Sequence, residues 1–421
     1  MALISTASDD ATAQHLFDAV ERMAGGPVAA QVRLWDGTTA GRPGPVAVLE
    51  RPEALRWLLY RPTDLGIARA YVNGDLDIDG SLIEFLREVL RAADRSLDDI
   101  RAMRVRPTIG RIAAGLGTAG WMMRSGLFGM PLHPPGAEVS RRGLRGAQAV
   151  RHHYDLSNEF YRLMLGPSMV YSCAVWADTD DPADLDEAQR AKLDRICQRL
   201  QLRPGMRLLD IGCGWGALVV HAAQHYGVDA LGVTLAGEQV AYAREFAERS
   251  GVADRVEIRQ SDFRDVTDGP FDAVSSIEMT FHLTRRGLRE HADTLYGLLA
   301  PGGRAFVHDV NASRKGQFYQ RVSEFLTSYI FPEIDIPTLS ALTQQLERAG
   351  LEIDSVENLR MHFAASHRAW LRNLEQNWDA VVAEIGLQRA RAWRMFTAIS
   401  VVSCEMGLTG VTHTVARRPE A

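Results

Sequence analysis

The sequence predicts a doubly wound α/β fold in its second half, with a parallel sheet covered by helices on both faces, preceded by a smaller helical and mixed domain. Three observations predict this arrangement. Short apolar strands alternate with helical patterns from about residue 180 onward, which is typical of a buried parallel sheet. Glycines cluster at one strand-to-helix junction, and the length of 421 residues exceeds one ordinary core.

The N-terminal part predicts a domain of its own. Apolar residues recur at helical spacing in 12–23 and in 81–93. Residues 126–148 contain three prolines and five glycines with little apolar periodicity, which indicates a linker. We therefore expect an N-terminal domain over 1–125 and a second domain over 149–421.

The elements of the second domain follow from the alternation of strand and helix patterns. The predicted strands are MRLLDIG, DALGVTL, VEIRQSD, FDAVSSIEM and GRAFVHDV. The predicted helices are 215–226, 237–250, 285–299, 338–350, 367–384 and 388–405.

Composition limits the class of protein and its location. The chain is 46% apolar and 24% charged, and no apolar run reaches the roughly 18 residues of a membrane span. Its N-terminus lacks the basic and apolar regions of a secretory signal, so we expect a cytoplasmic location. Four cysteines without CxxC spacing indicate reduced thiols and no metal site.

Positive charge is concentrated between residues 101 and 151, which contain nine arginines and a single acidic residue, Glu138. One interpretation is a solvated segment between domains. Another is an amphipathic surface for anionic lipid headgroups, which would place the protein peripherally on the inner membrane face. A nucleic acid partner is not expected, because no binding module accompanies the arginines.

The junction LLDIGCGWG places Gly212, Gly214 and Gly216 where a strand ends and a helix begins, two residues after Asp210. Glycines allow a tight turn and a close approach to a ligand, and free N–H groups of the helix attract negative charge. The spacing is G-x-G-x-G, whereas a dinucleotide fingerprint reads G-x-G-x-x-G.

A D-x-G-x-G-x-G pattern that opens an α/β domain resembles the S-adenosylmethionine methyltransferases. The resemblance implies that the carboxylate of the cofactor takes the place of phosphate at the glycines. It also implies that Thr234 and Gln239 face the ribose, that Asp262 and Phe263 lie at the adenine, and that Leu235 contacts the cofactor. A plain helix cap remains the alternative for Asp262.

Five motifs extend the resemblance along the chain. They are HYDLSNEFYRLMLGPSMVYSCAVW, LRPGMRLLDIGCGWG, GVTLAGEQ, SYIFPEIDIP and SCEMGL. In this order they resemble the cyclopropane-fatty-acyl-phospholipid synthases, including actinobacterial relatives that make methylene- or methyl-branched chains. The resemblance implies a seven-stranded, Rossmann-like class I S-adenosylmethionine methyltransferase domain with a smaller N-terminal lipid-binding domain.

The implied reaction is methyl transfer to the double bond of an unsaturated acyl chain of a phospholipid, through a carbocation. Aromatic rings stabilise such a cation without trapping it. We therefore interpret the aromatic residues around Cys173 as a wall of the acyl pocket, with Tyr171 and Ser172 against the cofactor. Ordinary core packing remains the alternative for Tyr154, Phe160 and Trp176.

The resemblance also implies a bicarbonate ion as base, held near Cys173, His308 and Cys404. Packing remains an alternative role for His308 and Cys404.

Two positions depart from the family pattern: Phe281 stands where a glutamate is usual, and His367 where a tyrosine is usual. In addition, Glu278 replaces a glycine. Either Glu278 is the base or rebuilds the anion site with His367, or the site has drifted from the family's activity.

Two other functions stay open at this point. A non-lipid small molecule is a second candidate acceptor, and a non-catalytic partner that binds S-adenosylmethionine or lipid is a third candidate function. The sequence does not decide between a monomer and a homo-oligomer.

Overall fold

The fold is described here from a computed structural model for residues 10–24, 26–61, 63–102, 132–138, 156–180, 182 and 184–420. The arginine side chains between 101 and 151, most of the predicted linker and Tyr154 lie outside these described residues. The chain divides into two compact units. The first contains Met1–Glu138, Ser323–Tyr329 and Leu387–Val402, and the second contains Val139–Val322, Ile330–Gly386 and Ser403–Ala421.

The helices and strands of the described residues are numbered along the chain. The strands are β1 (Gln31–Arg33), β2 (Thr39–Gly41), β3 (Val46–Leu49), β4 (Leu76–Asp79), β5 (Arg207–Ile211), β6 (Asp229–Thr234), β7 (Val256–Gln260), β8 (Phe271–Ile277), β9 (Leu299–Ala312), β10 (Glu352–Asn358) and β11 (Thr409–Arg417). The helices are α1 (Asp10–Ala24), α2 (Ala54–Tyr60), α3 (Asp64–Asn73), α4 (Leu82–Ala102), α5 (Asn158–Leu165), α6 (Leu185–Arg199), α7 (Ala217–Tyr226), α8 (Gly237–Arg249), α9 (Arg285–Leu298), α10 (Arg314–Val322), α11 (Phe325–Tyr329), α12 (Leu339–Arg348), α13 (Arg360–Gln376), α14 (Trp378–Ile385) and α15 (Leu387–Glu405).

The first unit is built on a four-stranded sheet in the order β2-β1-β3-β4. Strand β1 pairs antiparallel with β2 and parallel with β3. Trp57 is buried in this unit, and its indole N–H donates to Asp75 Oδ2 at 2.8 Å. The indole hydrogen bond satisfies a polar group that burial would otherwise leave unpaired.

Most of α15 belongs to the first unit, although the sequence analysis assigned it to the second domain. The reason is Arg391, whose Nε donates to Tyr71 O at 2.6 Å and whose Nη2 donates to Leu76 O at 2.9 Å. Its guanidinium also lies 4.2 Å from the centre of the Tyr71 ring. Contacts between residues so far apart in sequence leave no signal in local patterns.

The second unit contains a seven-stranded sheet in the order β10-β11-β9-β8-β5-β6-β7. Strands β9, β8, β5, β6 and β7 run parallel, and β11 pairs antiparallel with both β9 and β10. The prediction of a doubly wound, seven-stranded sheet is confirmed.

Two apolar cores cover the two faces of this sheet. Successive strand residues enter different cores: Leu208 packs in one with α6, α7 and α8, and Leu209 packs in the other with α9 and α12. Side chains that alternate along a strand point to opposite faces, so each strand of this sheet is buried on both sides.

The C-terminal helices differ in detail from the prediction. The single helix expected over 367–384 is divided at Asn377 into α13 and α14, and α13 begins at Arg360. Among the described helices, none combines the length and the apolar character needed to cross a bilayer.

Candidate active site

A cavity of about 370 Å³ lies at the carboxyl ends of the parallel strands of the second unit. Parallel α/β sheets bind their ligands at this edge. The lining includes residues that end or follow β5, β6, β7 and β8. Of the residues predicted to bind the cofactor, those that line the cavity are Tyr171, Ser172, Asp210, Gly212, Gly214, Thr234, Leu235, Gln239, Asp262 and Phe263.

The three glycines of the junction all have positive φ, at 78° for Gly212, 55° for Gly214 and 86° for Gly216. A Cβ added to Gly214 would meet no heavy atom within 4 Å, so the backbone there is open to a ligand. A Cβ added to Gly216 would lie 2.9 Å from the Cβ of Ala243. Gly216 therefore allows α7 to pack closely on α8, and it is not part of the cavity lining.

Polar side chains along the cavity are fixed by bonds within the protein. Thr234 Oγ1 donates to Gln239 Oε1 at 2.7 Å, and both residues are buried. Asp262 accepts from the backbone N–H of Arg264 at 3.0 Å and from its Nη1 at 2.8 Å. The cap that sequence reasoning kept as an alternative is present at Asp262, which also lines the cavity.

Asp210 is the last residue but one of β5, and its carboxylate is buried. Its Oδ1 accepts a hydrogen bond from Ser275 Oγ at 2.7 Å. Burial raises the pKa of the Asp210 carboxyl to about 6. The side chain therefore places a negative charge beside the glycine junction at neutral pH.

The predicted aromatic wall forms a cluster of rings next to the cavity. Tyr171 and Trp215 line the cavity directly. The ring of Tyr161 lies 5.8 Å from that of Tyr171 and 4.8 Å from that of Trp215, and Trp370 lies 5.4 Å from Tyr171. By contrast, the indole N–H of Trp176 donates to Ser366 Oγ at 3.0 Å, within the core.

Glu278 follows β8 and has a φ of 47°. A side chain in this left-handed region costs about 1 kcal/mol or more, which accounts for the glycine usual at this position. Its backbone N–H donates to His308 O at 2.6 Å. Strain of this kind is concentrated at functional sites.

The carboxylate of Glu278 joins two other predicted site residues. Oε1 accepts from the backbone N–H of Cys173 at 2.7 Å and lies 3.2 Å from His308 Nε2. Burial raises the pKa of Glu278 to about 7 and lowers that of His308 well below its usual range. With Glu278 ionised, His308 carries its proton on Nε2, and its Nδ1 accepts from Nε2 of His413 at 3.0 Å.

The two predicted cysteines are buried thiols. Cys173 Sγ donates to Ala174 O at 3.3 Å, and burial raises its pKa. Cys404 Sγ lies 3.8 Å from Thr409 Oγ1, and burial raises its pKa to about 12. Both groups are protonated near neutral pH, so the contribution of Cys173 to the site is its backbone N–H.

His367 and Phe281 occupy the two positions that depart from the family pattern. The buried ring of His367 lies edge-on to Phe363 at 4.6 Å and to Trp370 at 4.8 Å, and burial lowers its pKa to about 3. Phe281 is buried, and the centre of its ring lies 5.7 Å from the centre of the Phe331 ring. Neither residue lines the cavity.

Sequence reasoning missed two residues of the site, Lys192 and His413. Lys192 lines the cavity, and its Nζ donates to Ser172 Oγ at 2.9 Å. Its signal in the sequence was the rarity of lysine in this chain. His413 follows the alternation of an ordinary strand and gave no signal.

The seven-stranded sheet, the glycine junction and the cavity together define a class I S-adenosylmethionine-dependent methyltransferase. The family model for mycolic acid cyclopropane synthetase matches residues 142–414. The chain belongs to this family, and the prediction from the five ordered motifs is confirmed.

Three relatives illustrate the similarity. A probable fatty acid methyltransferase from Mycobacterium tuberculosis is 35% identical over 400 residues, covering 91% of this chain and 90% of the relative. The structure of the cyclopropane synthase MmaA2 from Mycobacterium tuberculosis has a TM-score of 0.60 at 26% identity, covering 65% of this chain and 98% of that one. The mycolic acid cyclopropane synthase CmaA1, solved with SAH and CTAB, gives the same four values, 0.60, 26%, 65% and 98%.

Proposed function

We propose that the protein transfers the methyl group of S-adenosylmethionine to the double bond of unsaturated acyl chains in phospholipids. The product would be a cyclopropane, or a methylene- or methyl-branched chain that keeps one double bond. The observation that carries the proposal is the Glu278 carboxylate, which lines the cofactor cavity and bonds to Cys173 N–H at 2.7 Å. The similarity to a fatty acid methyltransferase and to cyclopropane synthases supports an acyl chain as acceptor.

The cavity fits S-adenosylmethionine. Three features follow one another along the ends of β5, β6 and β7. They are the open backbone at Gly214, the buried pair of Thr234 and Gln239, and the ring of Phe263. The SAH complex of CmaA1 supports this assignment. When bound, the cofactor supplies an electrophilic methyl group.

The aromatic lining suits a reaction that leaves positive charge on the acyl chain. The rings of Tyr171 and Trp215 line the cavity. A ring face stabilises a nearby cation by about 0.5–2 kcal/mol. A wall of rings also excludes the water that would otherwise trap the cation.

The reaction ends when the cation loses a proton, and we assign Glu278 as the base. Its carboxylate takes that proton, and the electrons of the broken C–H bond close the ring or form the new double bond. The N–H of Cys173 and Nε2–H of His308 stabilise the ionised carboxylate. A pKa of about 7 suits a base that works near neutral pH.

A bicarbonate ion does not fit beside Cys173. The resemblance places the ion near Cys173, but the backbone N–H of Cys173 already donates to Glu278 Oε1 at 2.7 Å. We therefore propose that the Glu278 carboxylate takes the role of the ion. This replacement also gives a reason for the strained backbone at Glu278.

Transfer of a labelled methyl group into lipid tests the proposal. The purified protein is incubated with S-adenosylmethionine carrying a labelled methyl group and with dioleoyl phospholipid vesicles; saturated distearoyl vesicles are the control. We expect label in the acyl chains of the dioleoyl lipid alone. Binding of the cofactor without any label in lipid would contradict the proposal and favour another acceptor.

We also propose that the domain over 1–125 and the arginine-rich stretch present lipid at the inner membrane face. The nine arginines between 101 and 151 support this role. Replacing Arg141, Arg142 and Arg145 with glutamate should weaken sedimentation with anionic vesicles in a salt-dependent way. Unchanged sedimentation would favour the other interpretation, in which the arginines belong to a solvated segment between domains.

A further inference from the structure

Lys192 is a charged side chain inside the cofactor cavity for which neither the motifs nor the proposed reaction has a role. It lies on α6, and 1% of its surface is exposed. Its Nζ donates to Ser172 Oγ at 2.9 Å, and the residue lines the cavity beside Asp210 and Glu278. Full burial of a lysine is rare without a compensating partner.

The use of lysine in this chain is unusual. Lysine and arginine together number 47, yet lysine occurs only at positions 192 and 315. Of the cationic residues whose burial the structure describes, the most buried one is therefore a lysine in a chain that otherwise uses arginine. The ammonium group is a compact point charge, whereas a guanidinium is planar and larger. The position therefore favours a small cation that fits a confined space.

The charge of Lys192 has only partial compensation within the protein. In the part of the chain that the structure describes, its one hydrogen-bond partner is the neutral hydroxyl of Ser172. Asp210 and Glu278 act on it electrostatically, but their hydrogen bonds go to Ser275, Cys173 and His308. A buried ammonium in these surroundings gains most from an anionic ligand that enters the cavity.

The order of the strands indicates which end of the cofactor lies next to the ammonium group of Lys192. Asp262 and Phe263 follow β7, whereas Asp210 lies near the carboxyl end of β5, two strands away. Two strand spacings are about 10 Å. With the adenine at Phe263, the amino-acid end lies near Asp210 and Lys192. That end carries one ammonium and one carboxylate, which match a buried anion and a buried cation.

We propose that Lys192 binds the carboxylate at the amino-acid end of S-adenosylmethionine. The hydroxyl of Ser172 accepts a hydrogen bond from the ammonium group of Lys192 and so holds that side chain in position. The inference rests on the cofactor assignment made above and adds a binding residue to it. Lys192 is then a specificity determinant, because it separates the intact cofactor from analogues that lack the carboxylate.

Calorimetry with two ligands tests this role without measuring methyl transfer. The wild type and Lys192→Met are titrated with S-adenosylhomocysteine and with its decarboxylated analogue. A charge-assisted hydrogen bond corresponds to roughly 10- to 100-fold in affinity. We expect Lys192→Met to lose that factor for S-adenosylhomocysteine and to bind the decarboxylated analogue as the wild type does.

Lys315→Met is the matched control, because it removes the other lysine of the chain, which does not line the cavity. It should leave both affinities unchanged. Equal losses for the two ligands in Lys192→Met, or no loss for either, would overturn the proposal. If Lys192→Met keeps its affinity for both ligands but shifts the pH profile of methyl transfer, the role of Lys192 is instead to influence the ionisation of Glu278.

The wild type alone keeps the proposal testable should Lys192→Met fail to fold. It should bind the decarboxylated analogue roughly 10- to 100-fold more weakly than S-adenosylhomocysteine. Equal affinities would refute the role of Lys192 while leaving the proposed function intact. Failure of the wild type to bind S-adenosylhomocysteine would refute the proposed function itself.

Discussion

The carboxylates of Asp210 and Glu278 are both buried near the carboxyl ends of neighbouring parallel strands, but they differ in hydrogen-bond partners and in backbone conformation. Asp210 lies near the carboxyl end of β5 and accepts a hydrogen bond from the hydroxyl of Ser275. Glu278 follows β8 with a φ of 47° and accepts from the N–H of Cys173. Burial raises both pKa values, to about 6 and about 7. The two groups thus share burial and differ in strain.

The difference assigns the two groups different tasks. Asp210 belongs to the glycine junction, where a fixed charge suits a bound cofactor. Glu278 is held in a costly conformation by Cys173 and His308, which are remote from it in sequence. Such strain persists only where the surrounding structure over-determines it. We infer that the Asp210 region binds and the Glu278 region reacts, and the following predictions test that division.

The largest effect is expected for Glu278→Gln. The amide retains the shape but cannot take a proton, so kcat should fall by roughly 10²- to 10⁴-fold. The affinity for S-adenosylhomocysteine, measured by calorimetry, should change less than about threefold. Asp210→Asn is the matched change at the other carboxylate, and it should weaken cofactor binding instead. The division fails if the two variants show the same pattern.

Gly214→Val should remove cofactor binding, with an affinity loss of about 100-fold or more. The new side chain would occupy the cavity and would also have to adopt a φ of 55°. Gly205→Val separates the two causes, because Gly205 has a φ of 83° but does not line the cavity. An intact calorimetric signal in Gly214→Val would contradict the placement of the cofactor.

The pH dependence of kcat reports on Glu278. Since burial raises its pKa to about 7, the ionised base is lost as the pH falls below that value. We expect kcat to decrease about tenfold per pH unit below 7 and to reach a plateau above it. Vesicle assays from pH 5 to pH 9 measure this. A flat profile across that range would exclude Glu278 as the titrating base.

The smallest effect is expected for Gly216→Ala, which acts on packing. The added Cβ would lie 2.9 Å from that of Ala243 and would have to adopt a φ of 86°. We expect a loss of about 1–3 kcal/mol in the free energy of unfolding, measured with urea. Cofactor affinity should stay within twofold of the wild type, and a large loss would return Gly216 to the binding site.

Local patterns predicted the fold well and the site only in part. The glycine junction, the strand ends and the cap at Asp262 depend on neighbouring residues, so the sequence contains their signal. The bond between Glu278 and Cys173 joins residues 105 positions apart and depends on how the sheet is assembled. Motif comparison marked both residues but did not predict their contact.

The roles of His367 and Lys192 depend on tertiary packing that local sequence patterns do not contain. His367 was predicted from a family position, yet its ring packs edge-on between Phe363 and Trp370. Lys192 was overlooked, because α6 is rich in charged residues and its pattern is that of a solvated helix. Only the packed structure shows that this lysine points into a cavity.

We propose above that the Glu278 carboxylate replaces a bicarbonate ion as the base. Methyl transfer into dioleoyl vesicles, measured in buffer freed of carbon dioxide and again after bicarbonate is added, tests it most directly. We expect equal rates in the two conditions. A rate that collapses without bicarbonate and returns when the ion is restored would contradict it.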